Sequence, residues 1–112
     1  MNRNDARTIG PELIDEIIRR VLSVARPDRI ILFGSAAAGE MTADSDIDLL
    51  VLEADSRDRR KESVRIGDAL RGLGYSFDVI VMATERFEES KSVFGGLAYP
   101  ADKGGKVLYE AA

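Results

Sequence analysis

Residues 31–53, ILFGSAAAGEMTADSDIDLLVLE, decide the reading of the fold. With Ile30 in front, Ile31, Leu32 and Phe33 make a short apolar, β-rich run closed by Gly34, the pattern of a buried strand. The stretch ends in Ile47, Leu49, Leu50, Val51 and Leu52, a second strand with Asp46 and Asp48 at its beginning. Residues 35–45 between them are small and polar, with Gly39 as punctuation. They leave no room for a long crossover helix, so the two strands can pair antiparallel. Residues 57–71 then read as a helix with Ile66, Ala69, Leu70 and Leu73 on one side. Gly67 weakens that helix by ~1 kcal/mol, and Gly72 and Gly74 stop it. Residues 77–82, FDVIVM, form a third strand with Asp78 near its start. A helix joins it to the second strand, so these two should be parallel through a right-handed crossover. The end of the first strand and the starts of the other two then share one edge, which collects Gly34, Ser35, Asp46, Asp48 and Asp78.

Upstream, residues 1–10 form a loose polar lead. Pro11 suits the first position of a helix, with Glu12, Asp15 and Glu16 near its positive end. Leu13, Ile14, Ile17, Ile18, Val21 and Leu22 recur at helical spacing over 11–25, and Pro27 ends the helix. Downstream, Thr84 is placed to cap a short helix from Glu85. Residues 92–103 read as a helix broken by Gly95, Gly96 and Pro100, and Lys106 to Tyr109 as a last strand. The order is that of an α/β or α+β layer, and 112 residues suit a single domain.

Composition removes whole chemistries. There is no Cys and no His, which excludes a disulfide framework, a zinc finger, a thiol nucleophile and a Ser-His-Asp triad. A metal site must use oxygen ligands, which favours hard cations such as Mg²⁺. The net charge of −4 gives no support for direct nucleic-acid binding. The opening MNRNDARTIG has no apolar h-region and no apolar run suits a membrane span, so the sequence reads as cytoplasmic.

No Lys or Arg lies between Arg29 and Arg57, yet that stretch holds Glu40, Asp44, Asp46, Asp48, Glu53 and Asp55. Asp46 and Asp48 flank Ile47 at strand spacing, so both point to one face, ~7 Å apart along the backbone. Asp78 can approach from the parallel neighbour. Three carboxylates without a cation raise one another's pKa unless a divalent ion compensates. Two Mg²⁺ ions bridged by such carboxylates serve in-line attack at phosphorus. A lone Asp-x-Asp is more often a solvated turn or a helix cap. The third carboxylate and the Gly34-Ser35 turn shift the balance toward a site. Gly34 permits close backbone approach, and Ser35 can start a short helix whose N–H groups face an anion, or can merely cap that turn.

Two look-alikes fail. Asp44-x-Asp46-x-Asp48 resembles the opening of a calcium loop, but Leu49 and Asp55 stand where that loop needs Gly and Glu. Gly34 and Gly39 are spaced as in a P-loop, but Glu40 and Met41 follow in place of Lys and Ser/Thr.

Gly34-Ser35, then Asp46-Ile47-Asp48 within ILFGSAAAGEMTADSDIDLLVLE, resembles the signature of the minimal nucleotidyltransferases of the DNA polymerase β-like superfamily. FDVIVM is similar to that family's third-carboxylate strand, and PADKGGKVLYE (residues 100–110) to its C-terminal ending. The resemblance runs over residues 11–110 and implies one nucleotidyltransferase domain over 1–112, a small mixed sheet with helices packed on one face. It implies that Asp46 and Asp48 hold two Mg²⁺, that Asp78 ligates one and helps activate the attacking hydroxyl, and that Gly34 and Ser35 hold the β- and γ-phosphates of an NTP. The reaction implied moves a nucleoside monophosphate to a hydroxyl and releases pyrophosphate. Stand-alone members of this size resemble antitoxins that use ATP to adenylylate a tyrosine of a HEPN-type toxin. One departure stands out: the family often carries Arg after Gly-Ser, where this chain has Ala36-Ala37-Ala38.

Two other readings compete. The same fold could neutralise a partner by contact, with the carboxylates as a remnant, and the missing Arg motivates that reading. A metal-dependent phosphodiesterase would use water as its nucleophile, but no basic groove is evident. Arg57, Arg59, Arg60, Lys61, Arg65 and Arg71 read as a solvated helix face interleaved with Asp58, Glu62 and Asp68, or as a docking face for an acidic partner. Tyr75, Phe77, Phe87, Phe94, Tyr99 and Tyr109 read mainly as core, with Tyr99 also a candidate for the nucleotide pocket or a partner interface. Acceptor, base preference and oligomeric state are not written in the sequence.

Overall fold

Pro11 opens the first helix, where its fixed φ and missing N–H cost nothing. The computed structural model describes residues 9–42, 44–54, 58–91 and 104–112. Along the chain these are α1 (Pro11–Val24), β1 (Arg29–Phe33), α2 (Gly34–Ala38), β2 (Ile47–Glu53), α3 (Arg59–Ala69), β3 (Phe77–Ala83), α4 (Thr84–Ser90) and β4 (Lys106–Glu110). The elements expected from periodicity are present, with ends shifted by a residue or two. The helix expected over 92–103 lies outside the described residues, as do the N-terminal lead to residue 8, Arg57, Phe94 and Tyr99.

The strands form one mixed sheet in the order β3-β2-β1-β4. β1 pairs antiparallel with β2 and with β4, and β2 pairs parallel with β3. The two topology rules drawn from loop length and crossover therefore hold. Alternation along the strands sorts the side chains onto two faces. Ile30, Leu32, Ile47, Leu49, Val51 and Val81 pack with Ile17 and Val21 of α1, with Ile66 of α3 and with Leu70 at the C-cap of α3. Ile31, Leu50 and Leu52 face the other way and gather around Phe87 of α4, with Ile80 and Met82 against them. The main helical layer thus covers one face, and short α4 contributes one buried anchor to the other.

Arginines join the helical layer. Arg20 of α1 donates to the carbonyls of Ala69 (3.3 Å) and Arg71 (2.7 Å) at the end of α3. Arg65 of α3 donates to the Val24 carbonyl at the end of α1, 2.7 Å away. Each helix so places a cation on the last, otherwise unpaired carbonyls of its neighbour. Glu16 holds Arg20 in place at 2.8 Å. The basic run of α3 is therefore not uniformly solvated.

Two local expectations are corrected. Thr84 does not cap α4: the N-cap is Ala83, with no side-chain cap, because the Thr84 hydroxyl donates instead to Asp28 Oδ2 at 2.6 Å. Tyr75 is not core: it lies in the loop before β3 with 45% of its surface exposed. Phe87, at 1%, is core as expected.

Candidate active site

The site is built where β1 ends and β2 and β3 begin. Gly34 follows β1 with φ 72°, a left-handed conformation that glycine adopts without strain. A Cβ at this position would lie 2.2 Å from Asp48 Oδ2. Gly34 is thus favoured twice, once by its backbone and once because the Asp48 carboxylate occupies the space a side chain would fill. The cross-strand partner of Asp48 on β1 is Phe33, which places the carboxylate beside the strand-to-helix turn.

On its other side Asp48 is in register with Asp78 of β3. Parallel neighbours lie ~4.8 Å apart, so these two carboxylates stand side by side on the face shared with Leu50 and Ile80. The register is held at its start by the Ile47 N–H, which donates to the Ser76 carbonyl at 2.8 Å. Asp46 sits one residue before β2, exposed at the lip. A turn delivers it: the Thr42 N–H donates to Ser45 Oγ at 2.8 Å, and the Ser45 N–H to the Thr42 carbonyl at 3.1 Å.

Asp48 is half-buried, whereas Asp46 and Asp78 are exposed. Partial burial, then the charge of Asp78, then that of Asp46, hold the Asp48 carboxyl above the ordinary carboxylate pKa. Among the described residues, no Lys or Arg forms an ion pair with any of the three. Also among them, no three acidic side chains are placed so as to hold a metal ion together. Mg²⁺ is commonly held by one or two carboxylates plus substrate phosphates and water, not by a closed protein cage. The adjacent Asp48 and Asp78, negative and uncompensated, are such a hard-oxygen pair, and Asp46 is near enough to act on Asp48 electrostatically.

Ser35 lies in the first turn of α2, half-buried, with its hydroxyl in no hydrogen bond among the described residues. Its carbonyl accepts from the Glu40 N–H at 2.8 Å, and Gly39, at φ 73°, ends the helix. Ala36 and Ala37 are 3% and 6% exposed and belong to the main core, while Ala38 faces outward. Two of the three positions where the sequence lacks Arg are therefore packing positions. Sequence reasoning missed this burial and the contact between Gly34 and Asp48. The single signal for the contact was a glycine directly after a strand.

A sequence model of the nucleotidyltransferase domain family matches residues 13–98. Several solved structures share the fold. A crystal structure of a toxin–antitoxin with AMP-PNP is 25% identical, with TM-score 0.64 over 88% of this chain and 73% of that chain. A mutant form of the toxin–antitoxin MntA–HpeT is 27% identical, with TM-score 0.58 over 87% and 72%. A tri-AMPylated Shewanella oneidensis HEPN toxin in complex with MNT antitoxin is 23% identical, with TM-score 0.57 over 89% and 71%. No curated protein matches. Among the described residues, no helix is long and apolar enough to cross a membrane.

Proposed function

Since the chain belongs to the nucleotidyltransferase domain family, we propose that it transfers AMP from ATP to a hydroxyl of a partner protein, a HEPN-type toxin, and so acts as an antitoxin. The observation that carries this reading is the side-by-side placement of Asp48 and Asp78 next to Gly34. The relatives supply the partner: one is a HEPN toxin carrying AMP groups in complex with its antitoxin, and another holds AMP-PNP.

The roles follow from position. Gly34 leaves the backbone open to a phosphate chain, and the Ser35 hydroxyl is available to donate to one of its oxygens. Asp46, Asp48 and Asp78 are the residues that would hold Mg²⁺. When bound, the metal neutralises phosphate charge and favours in-line displacement at phosphorus. The accepting hydroxyl forms a new O–P bond at the α-phosphorus, while the bond from that phosphorus to the oxygen bridging to the β-phosphate breaks. Asp78, exposed on the strand farthest from Gly34, takes the hydroxyl proton, and pyrophosphate leaves on the Ser35 side.

The test is incubation with labelled ATP, Mg²⁺ and the product of the gene neighbouring this protein's own. Label should appear on the toxin and vanish with Asp46→Asn plus Asp48→Asn. Transfer from no NTP to that protein would sink the proposal. The absent cation at 36–38 favours a second reading, neutralisation by contact alone. Under that reading the double variant still neutralises the toxin; under catalysis it does not.

A further inference from the structure

We propose that the outer edge of β3 receives the accepting protein as an added antiparallel strand, whose hydroxyl-bearing residue stands opposite Asp78. This rests on the transfer reading above and names how that site takes its acceptor. In-line displacement puts the attacking and leaving oxygens on opposite sides of phosphorus. The sheet order sets β1, β2 and β3 side by side, with Gly34 and Ser35 following β1, Asp48 on β2 and Asp78 on β3. A phosphate chain over Gly34 and Ser35 leaves the β3 side for the acceptor.

Among the described strands β3 and β4 are the two edges, and they differ. The register of β4 with β1 shifts between Ile30 and Ile31, and β4 begins at exposed Lys106. A bulge and a lysine are common guards of an edge against further pairing. β3 has neither. Its seven residues keep one register with β2 from Phe77 to Ala83, and none is Lys, Arg or Pro. Its one charged residue is Asp78, which the site already accounts for.

The Ile47 N–H donates to the Ser76 carbonyl, and that bond fixes the phase of the parallel ladder. Asp78 and Ile80 turn their peptide groups toward β2, while Phe77 and Val79 turn theirs outward. Among the described residues, no backbone hydrogen bond outside the ladder uses the N–H or C=O of Phe77 or Val79. Such a row of peptide groups is a template for one more strand. An antiparallel strand would bond through its residues opposite Phe77 and Val79. The residue between them would face Asp78 in a non-hydrogen-bonded pair, with Cα atoms ~4.5 Å apart and both side chains on one face. A tyrosine there lies on the face of the Asp78 carboxylate and leans across the ~4.8 Å to β2 and Asp48.

Neighbouring positions define the occupant further. Two places before the tyrosine, an apolar residue would meet Ile80, half-buried against the cluster around Phe87. Two places after it, the segment passes the rim where Asp46, Asp48 and Asp78 form no ion pair among the described residues. A lysine at that position meets complementary charge. The segment is thus extended, with an apolar residue, a hydroxyl and a cation at alternate positions.

The experiment uses a short fluorescein-labelled peptide with tyrosine at its centre, threonine on each side of it, valine two places before and lysine two places after. Anisotropy is read with the full chain before nucleotide or Mg²⁺ is added. N-methylation of either threonine, whose N–H would reach the Val79 or Phe77 carbonyl, should weaken binding about tenfold. N-methylation of the tyrosine, whose N–H would turn away from β3, should change it less than about twofold. Glutamate in place of the lysine should weaken it about fivefold at low salt. Val79→Pro removes an outward N–H and no bond to β2, which an edge strand tolerates, and should lose the peptide. No binding of the unmethylated peptide, or equal or greater sensitivity at the tyrosine than at the threonines, would overturn the added strand even if Val79→Pro fails to fold. Sedimentation showing a dimer that Val79→Pro dissociates would give the edge to a second copy and overturn it too. Adding labelled ATP and Mg²⁺ to the bound peptide tests transfer separately. Bound but unlabelled peptide would count against the transfer reading and leave the added strand standing.

Discussion

At the scale of single residues, Gly34 and Asp48 separate folding from function. The atom that a Cβ at 34 would strike is the tip of the Asp48 side chain, which can swing away. Gly34→Ala should therefore fold, losing ~1–2 kcal/mol to the left-handed backbone. Transfer should fall at least ~100-fold, the scale set by misplacing a reacting group. Thermal melts beside a transfer assay check both halves. Asp48→Asn should act in the opposite sense on stability. It removes a half-buried charge that faces Asp78 and Asp46, and should stabilise the fold without metal by on the order of 1 kcal/mol, ~4 °C for a domain of this size. The same change should abolish transfer, the trade expected of a residue kept for chemistry. The carboxylates themselves could be read from sequence, because Asp is a poor strand residue and three at strand starts are conspicuous. The fit of Gly34 to Asp48 could not, since it depends on the rotamer of a residue on another strand. Nor could the exposure of Tyr75, because an aromatic beside a strand is read as core unless the neighbouring loop is known to turn away.

At the scale of elements, helical periodicity was enough to find α1, and continuous apolar runs were enough to find β1 and β2, whose side chains are buried on both faces of the sheet. Periodicity was weaker for α3, where Ile66 is the one residue of the helix that is fully buried and arginines serve tertiary ends. Capping was the poorest guide. Thr84 had a partner across the molecule, Asp28, that local sequence does not reveal. α4 shows what holds an element with little amphipathic surface. Its one buried side chain is Phe87, and Arg29 of β1 both pairs with Glu88 and lies 5.3 Å from the Phe87 ring centroid. Phe87→Ala should therefore cost ~3–5 kcal/mol, the range for a buried aromatic truncated in a core. Urea titration would register it as a lower midpoint with an unchanged slope. A loss below ~1 kcal/mol would mean that the second face of the sheet contributes little.

At the scale of the whole molecule, the antiparallel and parallel pairings together make the site. Reversing either would send Asp78 or Gly34 to the other end of the sheet. Short loop and helical crossover are written in the chain, which is why the convergence of residues far apart in sequence was predictable while their contacts were not. The outcome is a domain of net charge −4 with uncompensated carboxylates concentrated on one rim. Such a rim lowers native stability by self-repulsion, and the unfolded chain relieves it by spreading the charges apart. A divalent cation that binds the native rim and not the unfolded chain should then raise stability by RT ln(1 + [L]/Kd), ~2.7 kcal/mol at a hundredfold excess over Kd. Melting followed by circular dichroism should show a rise with Mg²⁺ beyond that given by NaCl of equal ionic strength, reversed by EDTA. Asp48→Asn should start higher than the native protein and gain far less from Mg²⁺, so that the two melting curves approach as the metal is added. An equal gain in both proteins would place the cation away from β2 and remove Asp48 from its ligands.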